Sequence, residues 1–154
     1  IIGIQSQIWS ETIRNENILD YMFMPNIIVF SQKAWSKDPK WMSIQDQTER
    51  EITLNYEWNK FTNSIGQRVL PIVENIYGGL TYDLPKPGGI IKNDSLYANT
   101  AFPGLNIKYT LDGSLPNIES MNYNNPVEID QDDVIYLRLF DNKGRGGYPI
   151  QVDK

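Results

Sequence analysis

The hydrophobic period of this chain changes once, near residue 78, and that change restricts it to two different architectures in series. Before it, Leu54, Trp58, Phe61 and Ile65 recur at intervals of four, three and four residues, and Val69, Ile72 and Ile76 continue the spacing. That is one stripe of a helix. After it the period is two: Ile107, Tyr109 and Leu111 alternate with Lys108, Thr110 and Asp112, and Ile135, Leu137 and Leu139 with Tyr136, Arg138 and Phe140. Alternation of this kind marks half-buried strands. Composition shifts at the same place. All four Trp lie in residues 1–77, whereas nine of the eleven Gly and six of the nine Pro lie in 78–154. Charge does not shift, so both parts face the same solvent.

Within the first part, Ile2, Ile4 and Ile8 alternate with Gly3, Gln5 and Gln7, which predicts a strand over residues 1–8. Residues 16–24 are rich in helix formers. After Pro25, the run Ile27-Ile28-Val29-Phe30 followed by Ala34-Trp35 predicts a buried helix closed by Asp38-Pro39. Ser43 with Asp46 three residues on resembles a capping box for a long helix. Gly66 weakens that helix, and Gly78-Gly79 ends it. In the second part, Pro87-Gly88-Gly89, Asn93-Asp94, Pro103-Gly104, Asp112-Gly113, Asn124-Asn125-Pro126, Asp141-Asn142 and Gly144 separate six or seven short strands. Such spacing predicts a small β-sandwich.

With 40% hydrophobic and 21% charged residues the chain has the profile of a folded protein. Net charge −5 leaves no basic excess for a nucleic-acid backbone, so no nucleic-acid partner is expected. No apolar run is long enough for a membrane span. Without Cys there is no disulfide, thiolate nucleophile or Cys-ligated zinc, and without His the commonest base and metal ligand are missing. No metal or other cofactor is implied, and any chemistry must run on carboxylates, amides and aromatics. The first residue is Ile rather than Met, and the chain is expected to be a piece of a longer protein.

Trp9-Ser10-Glu11, at the end of the expected strand, has the most chemical look. An indole presents a flat apolar face to a sugar ring, and a carboxylate two residues on can accept hydroxyl hydrogen bonds. The plainer alternative makes Trp9 core and Glu11 an acid near a helix N-terminus. Asp130, Asp132 and Asp133 lack the Gly and the far Glu of a calcium loop and read as a solvated turn. Asp112-Gly113 reads as a hairpin turn. Trp35, Trp41 and Trp58 could form a sugar platform, but helix-spaced aromatics are usually core. Glu16 and Asp20 sit at i, i+4 with no acid across a cleft, so they build no two-carboxylate glycosidase site.

Two sets of motifs resemble one family. Gly3-Ile4-Gln5-Ser6-Gln7-Ile8-Trp9-Ser10-Glu11-Thr12-Ile13, Leu19-Asp20-Tyr21-Met22, Pro25 and Ala34-Trp35 are similar to the last barrel strand and final helix of family 20 glycoside hydrolases, the β-N-acetylhexosaminidases and chitobiases. Leu84-Pro85-Lys86-Pro87-Gly88, Tyr97-Ala98-Asn99, Pro103-Gly104, Ile107-Lys108-Tyr109-Thr110-Leu111-Asp112-Gly113-Ser114-Leu115-Pro116, Leu137-Arg138-Leu139-Phe140 and Gly144-Arg145 are similar to the small β-sandwich appended to bacterial members. The two sets stand in the family's order and cover nearly the whole chain.

The resemblance implies an α+β fragment: residues 1–77 as a largely helical remnant of a catalytic (β/α)8 barrel, its last strand and helices, and residues 82–154 as an immunoglobulin-like β-sandwich. It implies a parent that releases terminal N-acetylhexosamine from glycans or chitooligosaccharides by substrate-assisted retention. The catalytic Asp-Glu pair would lie on an earlier strand, upstream of this chain, so no catalytic residue is expected here. Trp9 would form a wall of the terminal-sugar pocket and Glu11 would accept that sugar's hydroxyls. Enzymes of this kind are commonly exported to the periplasm, cell surface or medium. Asn26 and Gln32 stand where the family usually has Arg and Glu, Leu115 where it has an acid, and Gly146-Gly147 where it has small hydroxyl residues. The rival reading is a non-catalytic β-sandwich module, carbohydrate-binding or structural. Alone, the chain is expected to form no parallel sheet at its N-terminus. Self-association is one outlet for its uncovered apolar stripe.

Overall fold

A computed structural model describing residues 3–153 places helices before residue 79 and strands after residue 87. One compact unit comprises the residues up to Ser64 together with Ile72–Asp83; the other comprises Ile65–Pro71 and the residues from Leu84 onward.

In the first unit Asn15 caps α1 (Glu16–Phe23), its side-chain oxygen accepting the Ile18 N–H at 3.0 Å, with Glu16 at the positive end of the helix dipole. Pro25 separates α1 from α2 (Asn26–Trp35). A 3-10 turn, Lys40–Ser43, precedes α3 (Gln47–Ser64). The capping differs from the expected box. Asp46 is the cap, its carboxylate accepting the Glu49 N–H at 2.8 Å, while the Ser43 hydroxyl donates back to the Lys40 carbonyl at 2.9 Å. The 3-10 turn occupies Ser43 and moves the helix start by three residues. α3 runs through a π turn, Ile65–Val69, into α4 (Leu70–Val73). Pro71 has no N–H to offer the Gln67 carbonyl, and the ladder widens just before it.

The strand patterning of residues 3–8 yields no strand, as expected of the chain alone, and the expected burial of α2 is corrected. Residues 3–10 form no strand, and Ile4 and Ile8 are exposed; Ile1 and Ile2 lie outside the described residues. A strand forms only when neighbours take its N–H and C=O groups, and every strand pairing among the described residues belongs to the antiparallel sheets farther on. Nor is α2 a buried helix: it has no buried residue, and Trp35 is 89% exposed. The α3 stripe is likewise covered only at its end. Leu54 and Trp58 are exposed, Phe61 is half-buried with its ring 5.9 Å from that of Trp58, and Ile65 is buried.

The second unit is a β-sandwich, as the two-residue period predicts. β1 (Gly88–Lys92), β2 (Ser95–Asn99) and β5 (Val127–Glu128) make one sheet in the order β1-β2-β5. β3 (Asn106–Thr110), β4 (Met121–Asn122), β6 (Ile135–Phe140) and β7 (Ile150–Val152) make the other in the order β4-β3-β6-β7. These strands pair antiparallel, with Ile107 opposite Leu139 and Tyr109 opposite Leu137. Leu96 from one sheet and Ile107, Tyr109, Ile135, Leu137, Leu139 and Val152 from the other are buried, while Tyr136 and Arg138 remain half-exposed.

Asp112 does not make the expected hairpin turn: it makes a local turn within the longer connection, residues 111–120, between β3 and β4, where it also bridges Val134. Its carboxylate accepts the Ser114 hydroxyl at 2.6 Å and the Ser114 N–H at 3.0 Å, and the hydroxyl first, then the N–H, hold it below the ordinary carboxylate value of 3.8. A carboxyl with a depressed folded pKa stabilises the fold above its unfolded pKa, and the gain is lost as pH falls through the folded one. Asp112→Asn is therefore expected to unfold slightly earlier than wild type at neutral pH. In paired denaturation curves the gap begins to narrow near pH 3.8 and closes only once pH has fallen through the lower folded value; a gap that persists in stronger acid contradicts this role.

Candidate functional site

Trp9 and Glu11 lie on the irregular segment before α1, where the Ser10 carbonyl accepts the Ile13 N–H at 3.1 Å and turns the chain. Ser6, Gln7, Ile8 and Trp9 line one side of a hollow of about 450 Å³. Met22 and Phe23 of α1 and Asn26, Ile27 and Phe30 of α2 line the other. The hollow is mostly apolar, with amides at Gln7 and Asn26. Trp9 remains 69% exposed beside it. Glu11 is exposed and is not among the lining residues. The structure therefore brings Trp9 to a concavity but does not bring Glu11 there with it. Glu16 is exposed and Asp20 half-buried on α1, and neither is among the lining residues.

The remaining sequence candidates resolve locally. The Asp133 carboxylate accepts the Asp130 N–H at 2.7 Å and closes a turn. Among the described residues no three carboxylates gather where they could share a metal ion. Trp58 is exposed rather than core, and Trp41 is half-buried. A second hollow, about 390 Å³, opens on the sandwich beside Thr110, Asp112, Ser114, Glu119 and Met121. Tyr109 is the aromatic in its lining and is buried, so it offers no face for a sugar to stack on. No described helix is long and apolar enough to cross a membrane.

Sequence reasoning passed over three polar groups that organise the structure. In the first unit, Tyr82 donates to the Glu74 carboxylate at 2.7 Å, both side chains buried. In the sandwich, Asp141 is 3% exposed and accepts from the Lys143 and Arg145 N–H groups at 3.0 and 2.8 Å and from Arg145 Nε at 3.0 Å. Arg138 packs 5.2 Å over the Phe140 ring and donates to the carbonyls of Gly147 (2.7 Å), Pro116 (3.3 Å) and Gly146 (3.5 Å). A charge inside the apolar run Leu-Arg-Leu-Phe was the available signal. The clamp also explains the unusual Gly146: a Cβ there would lie 2.6 Å from Arg138 Nε.

A helical segment followed by an antiparallel two-sheet sandwich defines an α+β protein carrying a β-sandwich domain. Residues 74–147 match the model of the chitobiase/beta-hexosaminidase C-terminal domain, and this part of the chain belongs to that family. The chain is 34% identical over 120 residues to an N,N'-diacetylchitobiase of Vibrio harveyi, across 72% of this chain and 13% of that protein. It is 33% identical over 128 residues to a beta-hexosaminidase of Vibrio vulnificus, across 73% of this chain and 15% of that one. The chain thus spans a small fraction of either relative. Residues 74–154 are little more than half of it, so a match over 72% runs into the residues before 74 as well.

Proposed function

We propose that this chain is the C-terminal part of a β-N-acetylhexosaminidase acting on terminal N-acetylhexosamine residues of glycans or chitooligosaccharides by substrate-assisted retention. Residues 1–77 are the end of its (β/α)8 barrel, and residues 82–154 are its immunoglobulin-like sandwich. The observation that supports the reading is the reach of the likeness beyond the sandwich, into the residues before 74. In the assembled barrel residues 1–8 pair with a neighbouring strand, and Trp9 and Glu11 stand at its C-terminal end, where barrel enzymes bind substrate. Trp9 then walls the sugar pocket and Glu11 accepts sugar hydroxyls. The Asp-Glu pair comes from an earlier strand, the Glu as general acid and the Asp orienting the acetamide. Such an enzyme acts outside the cytoplasm, in the periplasm, at the cell surface or in the medium.

The separating experiment is turnover of an aryl N-acetylglucosaminide. The full-length parent is expected to release the aryl group, and the 154-residue chain to release none above a mock preparation. General acid catalysis by a positioned carboxyl is typically worth about 10²–10⁴-fold, and the chain has no such group in place. Turnover by the chain alone, or none by the parent, defeats the assignment.

A further inference from the structure

Residues Ile65–Pro71 continue the helix that begins at Gln47, yet they belong to the sandwich unit. Ile65 and Leu70 are both almost wholly buried, and Gly66 is buried between them. In an α-helix, residues five apart point about 140° away from each other. The π turn Ile65–Val69 is wider, which lets Ile65 and Leu70 turn to the same buried side.

The contact at Gly66 is backbone against backbone. A Cβ on Gly66 would fall 2.0 Å from the Pro103 carbonyl oxygen and 3.1 Å from the Phe102 carbonyl carbon. From the other side, a Cβ on Gly104 would sit 3.3 Å from the Gly66 oxygen, and Gly104 has φ +102°, which disfavours any other residue. One helical turn and one loop turn of the sandwich therefore meet with no side chain between them. The family match begins at residue 74 and leaves this helical turn out.

We infer that the turn Phe102-Pro103-Gly104 is a docking seat for the glycine-bearing helical turn Ile65–Pro71 of the same chain, so that the sandwich folds as a unit that includes this turn. Gly66 is then the residue that admits the Pro103 carbonyl, not merely a weak point in the helix.

The test uses the whole chain, and its readouts are independent of the sugar chemistry. Alanine for glycine inside a helix normally raises stability. Here Gly66→Ala is expected to lower the thermal midpoint by several degrees, while Ser64→Ala, exposed two residues earlier, leaves it unchanged or raises it. Hydrogen exchange on the wild-type chain decides independently should Gly66→Ala fail to fold. The Val69 and Leu70 amides are expected to exchange together with those of Ile107 and Leu137. A raised midpoint in Gly66→Ala, or Val69 and Leu70 amides that exchange early with those of α3, overturns the seat.

Discussion

In the proposed full-length enzyme, Glu11→Gln is expected to lower kcat/KM by about 10- to 100-fold while leaving the unfolding midpoint near wild type. A charged acceptor contributes roughly 1.5–3 kcal/mol to a hydrogen bond, and the amide keeps the shape without the charge. Folding is little affected because Glu11 is exposed in the chain by itself. Trp9→Ala in the same enzyme is expected to raise KM and lower kcat together, since in the proposed role the indole wall would help fold the acetamido arm back onto the anomeric carbon. Steady-state kinetics beside a melting curve checks both. Wild-type kcat/KM in either variant removes that residue from the pocket.

Asp141→Ala is expected to cost the sandwich about 2–4 kcal/mol, from loss of a buried carboxylate and exposure of two backbone N–H groups to an empty site. For a domain of this size that corresponds to roughly 10–25 °C in Tm. Arg145→Ala should cost less. Its guanidinium is one-third exposed, and the two backbone N–H groups still satisfy the Asp141 carboxylate. Chemical denaturation of both variants gives the ordering, and an Asp141→Ala chain within about 0.5 kcal/mol of wild type shows that the loop closes without it.

Elements whose causes are local were legible before any coordinates. α1 and α2 fall within a residue or two of the spans that helix formers and Pro25 imply. β3 and β6 lie where the two-residue alternation is cleanest. A turn at Asp112-Gly113 was legible, but not its kind: Asp112 binds Ser114 within a longer connection instead of closing a hairpin. The family's sandwich was legible for the same reason, because its motifs are turns and short alternating strands.

Other features were hidden, each because its cause lies far along the chain or outside it. Residues 3–8 have strand patterning, but patterning supplies no neighbour, and without one the alternation stays in an exposed irregular segment. The burial expected of α2 and of the Leu54–Trp58 stripe presumed a surface that this chain does not present to them. Trp9 was legible as a residue that can wall a pocket; whether Glu11 joins it depends on how the segment is held.

The sequence alone determined the succession of helices and antiparallel strands, the turns between them and the family, because these depend on neighbours within a few residues. Tertiary structure decided which helical turn belongs to the sandwich, that Asp141 and Arg138 fasten its loops, and that Gly66 admits a carbonyl from Pro103. Those outcomes rest on atoms that meet only once the chain has folded back, and no periodicity records a contact between residues thirty-seven positions apart.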